Sequence, residues 1–212
     1  MAIKFKITIG LLLIHLFTCY TTCRTNCAGV DFSFAIANRI YPDKDSINVG
    51  DTIWIEVDVP TQLTDLKTSS EVDYSGAVNL GSAIAFQKFD VGSTTQTGLV
   101  EAAEAFKTHL VFGEVIDNSK TPFAKKTKEF RFHETNGRYR FKAGFIATEK
   151  GDFMIGPGDA NGVYRQQDKC SKASFTITIA NTNQHLYLFQ NFRPDYVLSE
   201  SDRKHAYCMR VK

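Results

Sequence analysis

The sequence predicts an all-β protein, an antiparallel sandwich with one short helix in a connection. The first indication is a set of short segments in which apolar and polar residues alternate, because alternation places one side of a strand against a core. The second is a high content of residues that favour strands, including 17 Phe and 8 Tyr. The third is the recurrence of turn-forming residues between these segments, as a sandwich of short strands requires.

Two early segments are clear strands. Residues 32–40 (FSFAIANRI) and residues 52–59 (TIWIEVDV) both alternate, so each strand has one apolar side. Pro60 ends the second strand because proline cannot donate to the ladder of hydrogen bonds. Trp54 lies on the polar side of that strand. It is a candidate aromatic contact for a sugar, and the alternative is packing beneath a covering segment.

One later segment has helical periodicity. Residues 99–110 (LVEAAEAFKTHL) space their apolar side chains along one stripe, with two glutamates and a lysine outside it. The segment is short, and we expect it to form the helix of a connection between strands. Residues 174–179 (SFTITI) alternate again and predict a further strand.

The strongest local pattern predicts a hairpin over residues 129–142 (EFRFHETNGRYRFK). Asn136-Gly137 suits a two-residue type I′ turn, in which both positions need positive φ. A turn centred there brings apolar residues opposite apolar residues. The expected pairs are Thr135 with Arg138, Phe132 with Phe141, and Phe130 with Ala143.

The opposite face of this predicted hairpin is basic. Its members are Arg131, His133, Arg140 and Lys142. Such a face suits an anionic ligand, either an acidic glycan or a lipid head group. The alternative is a solvated face whose charges discourage pairing with another chain at the sheet edge.

Residues 1–23 have the organisation of a signal peptide for export. Lys4 and Lys6 precede an apolar segment at residues 7–17, and a short polar segment follows at residues 18–23. As a helix, the apolar segment would be roughly 16 Å long, which is too short to cross the ~30 Å apolar core of a bilayer.

Two kinds of signal cleavage fit the sequence. A lipoprotein signal needs a cysteine close behind the apolar segment, and both Cys19 and Cys23 are candidates for acylation. Ordinary cleavage after Cys23 is the alternative. Either outcome places the protein in the periplasm, at the cell surface or outside the cell. A lipid anchor, to the outer membrane, would be its one contact with a membrane.

The order of motifs along the chain resembles that of exported bacterial proteins and lipoproteins with an immunoglobulin-like (Ig-like) domain. Gly50-Asp51-Thr52 before a strand, Tyr139-x-Phe141, and Lys150-Gly151-Asp152-Phe153 carry the resemblance, which covers roughly residues 28–180. It implies an Ig-like sandwich, which we place at residues 24–180. Residues 181–212 then form a C-terminal extension that packs on the sandwich.

Three cysteines follow the predicted signal: Cys27, Cys170 and Cys208. An exported chain meets an oxidising compartment, so one disulfide and one free thiol are expected. In an Ig-like sandwich the first strand often pairs in parallel with the last strand. The resemblance therefore implies a disulfide between Cys27 and Cys170, each just before one of those strands. Cys170 with Cys208 is the alternative.

The sequence contains no recognisable catalytic or metal-binding motif. It lacks G-x-S-x-G and HExxH, so no catalytic residue, metal or cofactor is predicted. The formal net charge is +2, and Lys4 and Lys6 both leave with the signal, which argues against nucleic acid as a partner. We expect a non-catalytic binding or structural module whose partner is an envelope protein or a glycan. The alternative is a glycan-acting protein, either a carbohydrate-binding module or a small hydrolase.

Overall fold

Two β-sheets packed face to face form the protein, as the alternating segments predict. A computed structural model describes residues 29–122 and 124–212. The predicted signal segment, with Cys19 and Cys23, lies outside the described residues, and so does Cys27. Within the described part, no helix is long and apolar enough to span a membrane.

The first sheet has eight strands. They are β1 (Asp31–Tyr41), β3 (Thr52–Pro60), β6 (Ala77–Val78), β9 (Phe106–Phe112), β12 (His133–Thr135), β13 (Arg138–Ala147), β15 (Ala160–Arg165) and β16 (Asp168–Ile179). Their spatial order is β12-β13-β3-β1-β16-β15-β6, and β9 pairs with β13. A separate two-stranded sheet joins β4 (Gln62–Thr64) to β5 (Glu71–Asp73).

The second sheet has seven strands. They are β2 (Ser46–Ile47), β7 (Gly81–Phe89), β8 (Leu99–Glu101), β10 (Glu114–Ile116), β11 (Thr127–Arg131), β14 (Gly151–Pro157) and β17 (Tyr207–Val211). Their order is β10-β11-β7-β14-β17-β2, and β8 pairs with β7. Phenylalanines from the two sheets meet in the core, where the ring centroids of Phe86 and Phe145 are 5.0 Å apart.

The first long strand pairs in parallel with the last strand of the first sheet. The register of β1 with β16 runs from Asp31 opposite Lys172 to Asn38 opposite Ile179, so the expected parallel pairing is confirmed. A Cβ placed on Gly29 would lie 1.9 Å from the carbonyl oxygen of Cys170, which shows how closely the two segments approach before β1 begins. The disulfide between Cys27 and Cys170 stays a prediction.

The Asn136-Gly137 turn is confirmed, with φ values of 51° and 68° and with Thr135 opposite Arg138. The pairing of Phe130 with Ala143 is wrong, because the chain leaves the second sheet at Phe132 and enters the first. Phe130 lies in β11 and faces Ser82 of β7. It meets the hairpin across the core instead, with its ring centroid 4.9 Å from that of Phe141.

The helix expected over residues 99–110 is also wrong. β8 and β9 occupy the segment, and only a single 3-10 turn, Ala103–Ala105, is helical. Each strand finds a partner in a different sheet, β8 with β7 and β9 with β13. These ladders satisfy the backbone polar groups, and this tertiary pairing overrides the local helical preference.

The C-terminal part of the chain contributes two short helices and an inner strand. The helices are α1 (Tyr187–Phe192) and α2 (Glu200–His205). β17 lies between β14 and β2, so the segment predicted as an extension also supplies a strand of the second sheet. α1 packs on the outer side of that sheet, where Phe192 stacks on Phe89 with centroids 5.0 Å apart.

Cys208 of β17 is a free, fully buried thiol. Its side chain lies between the second sheet and the C-terminal helices, in a small apolar cluster with Met154 and Phe189. Burial raises the pKa of Cys208 to about 12, because the thiolate would lose its solvation there. The thiol is therefore inert at neutral pH.

Candidate ligand-binding face

The outer side of the first sheet carries a row of rings that crosses four strands. Tyr41 of β1 lies opposite Trp54 of β3, and Trp54 lies opposite Gly144 of β13. Gly144 in turn lies opposite His109 of β9. Because residues that are opposite each other in a sheet point to the same side, these four positions share the outer face. We call them the aromatic row.

Strand alternation explains why the row faces outward. The inward positions of β3 are the buried Ile53, Ile55 and Val57, so Trp54 between them points away from the core. In β13, Ala143 and Phe145 are buried inward and Gly144 between them faces out. The core sequence therefore determines which residues form the row.

Gly144 makes room for the indole ring. A Cβ at this position would lie 2.8 Å from Cγ2 of Thr52 and 3.0 Å from Cζ3 of Trp54. The ring of Trp54 therefore lies directly against the backbone of β13. A larger residue at position 144 would lift the indole from the sheet.

Trp54 contacts the other two rings of the row. The ring centroids of Tyr41 and Trp54 are 6.5 Å apart, with their planes inclined by only 17°. His109 meets Trp54 edge-on, with centroids 6.0 Å apart and planes at 82°. Contacts of this kind hold the orientation of partly exposed rings.

Cations lie over these rings. Nζ of Lys142 is 5.5 Å from the centroid of Tyr41 and 5.6 Å from that of Trp54, within the range of cation–π attraction. The guanidinium carbon of Arg39 lies 5.8 Å from the Tyr41 centroid. The hydrogen bond that Lys142 makes with the Tyr41 side chain raises the pKa of Lys142, and the charge of Glu56 acts in the same direction. This ammonium group therefore stays protonated.

The acidic side chains of the face form ion pairs with basic side chains. Asp58 forms ion pairs with Arg138 and with Arg140, whose Nε is 3.4 Å from the Asp58 carboxylate. The hydrogen bond from Arg138 lowers the pKa of Asp58. Glu56 lies 4.0 Å from Nζ of Lys142. Within residues 29–122 and 124–212, the guanidinium group of Arg39, which lies opposite Glu56 on this face, forms no ion pair.

The structure brings together some predicted site residues and separates one. Trp54, His133, Arg140 and Lys142 all lie on the outer side of the first sheet. Arg131 does not, because β11 belongs to the second sheet. It lines a separate cleft with Glu129, Asp159 and Tyr164. The prediction that Arg131 belongs to the basic face is therefore wrong.

Two of the three rings in the row were not predicted as site residues from the sequence. Tyr41 directly follows the predicted strand at residues 32–40, and His109 stood in the predicted helix. No local sequence pattern relates these two residues to Trp54. Their proximity depends on the register of three strand pairs. The link between Trp54 and the basic hairpin face was missed for the same reason.

Two acidic residues of the turn after β1 make polar contacts with the C-terminal segment. Asp45 accepts a hydrogen bond of 2.5 Å from the Tyr187 hydroxyl, and Asp43 lies 3.2 Å from Nε2 of the buried His185. Among the described residues, no three His, Cys, Asp or Glu side chains are grouped so as to hold a metal ion.

Comparison with models of known protein families gives no match for this chain, and comparison with curated proteins gives none.

Proposed function

We propose that this protein is a non-catalytic binding module that holds its ligand on the outer face of the first sheet. The aromatic row supports this proposal most directly. On the second sheet, helix α1 covers part of the outer side with apolar contacts, for example between Phe189 and Phe89. The first sheet instead presents rings and cations that are only partly buried.

The alternative class, a glycan-acting protein, divides into binding and hydrolysis. Aromatic rings on a strand face suit the binding form, because they present flat apolar surfaces with polar edges. Hydrolysis needs a carboxylic acid whose pKa is raised towards neutrality. Asp58 on this face has a lowered pKa, because Arg138 and Arg140 stabilise its charged form. The face therefore favours binding.

We propose that the module acts outside the cytoplasm, in the periplasm, at the cell surface or in the medium. The signal-like segment supports export, and Cys19 and Cys23 support a lipid anchor to the outer membrane as one form of it. The intact mass of the exported protein tests this. Cleavage at some point before Arg24 is expected, and a protein that begins at Cys19 or Cys23 and carries a diacylglycerol adduct on that cysteine would be the lipoprotein. An exported protein that keeps Met1 would contradict export by cleavage.

A glycan array that includes neutral and acidic glycans tests the binding proposal. The mature protein is compared with Trp54→Ala and with Tyr187→Ala, which removes an exposed ring from α1 on the other sheet. We expect retention on the array that Trp54→Ala reduces and Tyr187→Ala leaves unchanged. Retention that Trp54→Ala does not change would contradict the proposed face. Release of reducing ends from a bound glycan would show a hydrolase instead.

A further inference from the structure

We infer that the ligand is an acidic glycan, a saccharide chain with carboxylate or sulfate groups, bound along the aromatic row with its acidic groups at Lys142 and Arg39. This inference rests on the proposed function and gives its ligand a chemical class. Three features support it: the supported rings, the uneven charge of the face, and the lack of well-exposed aliphatic side chains in the row.

The rings form a supported surface for sugar rings. The Trp54 indole lies against the backbone at Gly144, so the sheet fixes its position before a ligand arrives. Such preorganisation lowers the entropic cost of binding. Neighbouring strands are about 4.8 Å apart, so the row from Tyr41 to His109 spans roughly 14 Å. This length suits a chain better than a single sugar.

The charge of the face is complementary to an acidic ligand. Asp58 is already engaged by two arginines, so it contributes little free negative charge. Lys142 makes a hydrogen bond with the Tyr41 side chain and a long contact of 4.0 Å with Glu56, which leaves ammonium hydrogens that can reach a ligand oxygen. Because Lys142 lies between the rings of Tyr41 and Trp54, a sugar on either ring would bring an acidic substituent close to it.

The row lacks the well-exposed aliphatic side chains that insert into a membrane. Among the described residues, the large apolar side chains that are well exposed are Val30, Val49, Leu66, Val91, Val111, Val115, Tyr187 and Val197, and none belongs to the row. Binding of a lipid surface by this face would need such side chains in addition to cations. An acidic glycan needs only the rings and the charges.

Binding measurements with defined polymers test the inference. The mature protein is titrated with polygalacturonate and dextran sulfate as acidic glycans, and with dextran as the neutral control. Poly-L-glutamate supplies negative charge without sugar rings, and phosphatidylglycerol vesicles supply it on a lipid surface. The variants are Trp54→Ala, Lys142→Gln and Lys204→Gln. Lys204 is the matched control because it also pairs with a glutamate, at 2.9 Å, but on α2.

We expect at least one acidic glycan to bind more tightly than dextran, poly-L-glutamate or the vesicles. Trp54→Ala should weaken binding by about tenfold, the size of effect that a central aromatic contact has. Lys142→Gln should weaken it several-fold and reduce its dependence on salt, whereas Lys204→Gln should leave it unchanged. Circular dichroism of each variant confirms that the sheets are retained.

Other outcomes would overturn the inference in distinguishable ways. Binding of dextran alone, lost in Trp54→Ala, would exclude an acidic ligand and leave the proposed face intact. Equal binding of poly-L-glutamate, or binding of the vesicles alone, would show charge attraction without sugar recognition. If an acidic glycan binds and neither Trp54→Ala nor Lys142→Gln changes its affinity, the ligand does not lie on this face. The proposed function would then be rejected together with the inference. Failure of every probe to bind would reject the acidic glycan.

Discussion

The buried hydroxyl of Tyr139 donates a hydrogen bond to the carbonyl oxygen of Tyr74 and accepts one of 3.1 Å from the backbone N–H of Ala77. A single side chain of β13 thereby satisfies two backbone groups of the connection between β5 and β6. Tyr74 extends the link, since its own hydroxyl donates to the carbonyl oxygen of Val163 at 2.8 Å.

Tyr139→Phe should therefore destabilise the protein although it leaves the ring in place. Two buried backbone groups would lose their partner, and each unsatisfied group costs about 1–3 kcal/mol. Urea unfolding measures the free-energy change, with Tyr164→Phe as control because the Tyr164 hydroxyl has no hydrogen-bond partner among the described residues. Equal stability of Tyr139→Phe and the parent protein would show that water replaces the hydroxyl.

Gly137→Val should destabilise the hairpin of β12 and β13. Gly137 has φ of 68°, a conformation that a β-branched residue adopts only with strain, so the cost should be at least ~1 kcal/mol. Gly92→Val in an exposed turn is the matched control, since Gly92 is not among the glycines of positive φ. An unchanged melting temperature for Gly137→Val would mean that the turn has another geometry.

Gly144→Ala should displace the Trp54 indole without unfolding the protein. The added Cβ would come within 3.0 Å of the ring, which must move outward. Trp54 is the single tryptophan of the chain, so its fluorescence reports on this site alone. We expect a shift of the emission maximum to longer wavelength as the ring becomes more solvated. Gly92→Ala should leave the spectrum unchanged, and an identical spectrum for Gly144→Ala would place the indole elsewhere.

Stability should fall at alkaline pH. Burial raises the pKa of Tyr74 to about 12 and also raises those of Tyr139 and Tyr207, whereas an unfolded tyrosine ionises near pH 10. The folded form therefore binds more protons above about pH 10, and the stability that these groups contribute below that pH is lost as pH rises towards 12. The buried Cys208 thiol acts in the same direction. Urea unfolding at pH 8 and pH 11 measures the difference, and equal stabilities would contradict it.

Cys27 and Cys170 should form the disulfide, with Cys208 free. The parallel register of β1 and β16 supports this pairing, because it brings Gly29, just before β1, against the backbone of Cys170 in β16. Peptide mapping without reduction should recover a linked pair of peptides and a free Cys208. Recovery of Cys27 as a free thiol would contradict the prediction. Closure of so long a loop is worth several kcal/mol in the entropic model, so Cys170→Ser should lower the melting temperature.

Local patterns were sufficient for much of the fold. Alternation located β1, β3 and β16, and the Asn136-Gly137 dipeptide located the hairpin turn, because period and turn type depend on residues close in sequence. The change of sheet at Phe132 was missed because the alternating pattern is the same on both sides of it. As a result, Phe130 and Arg131 were assigned to the wrong sheet.

The binding face needed information that local patterns do not contain. Trp54 and Lys142 were each identified as candidates, but their proximity depends on the register of β3 with β13. His109 was hidden in residues 99–110, whose apolar spacing suits a helix as well as the β8 and β9 that form. Pairing with β7 and β13 decides between these states, and those partners lie far away in sequence.

The pairing of β1 with β16 has a kinetic consequence. Val30 contacts Ser171 across 141 positions of sequence, and Arg210 of β17 contacts Asp152 across 58. Sandwiches whose paired strands are so distant in sequence fold slowly. A long loop must close before any contact forms that offsets the chain entropy lost on closure. β1 therefore stays without its parallel partner until most of the chain has been made. In the export that we propose, this delay would keep the chain unfolded during transport.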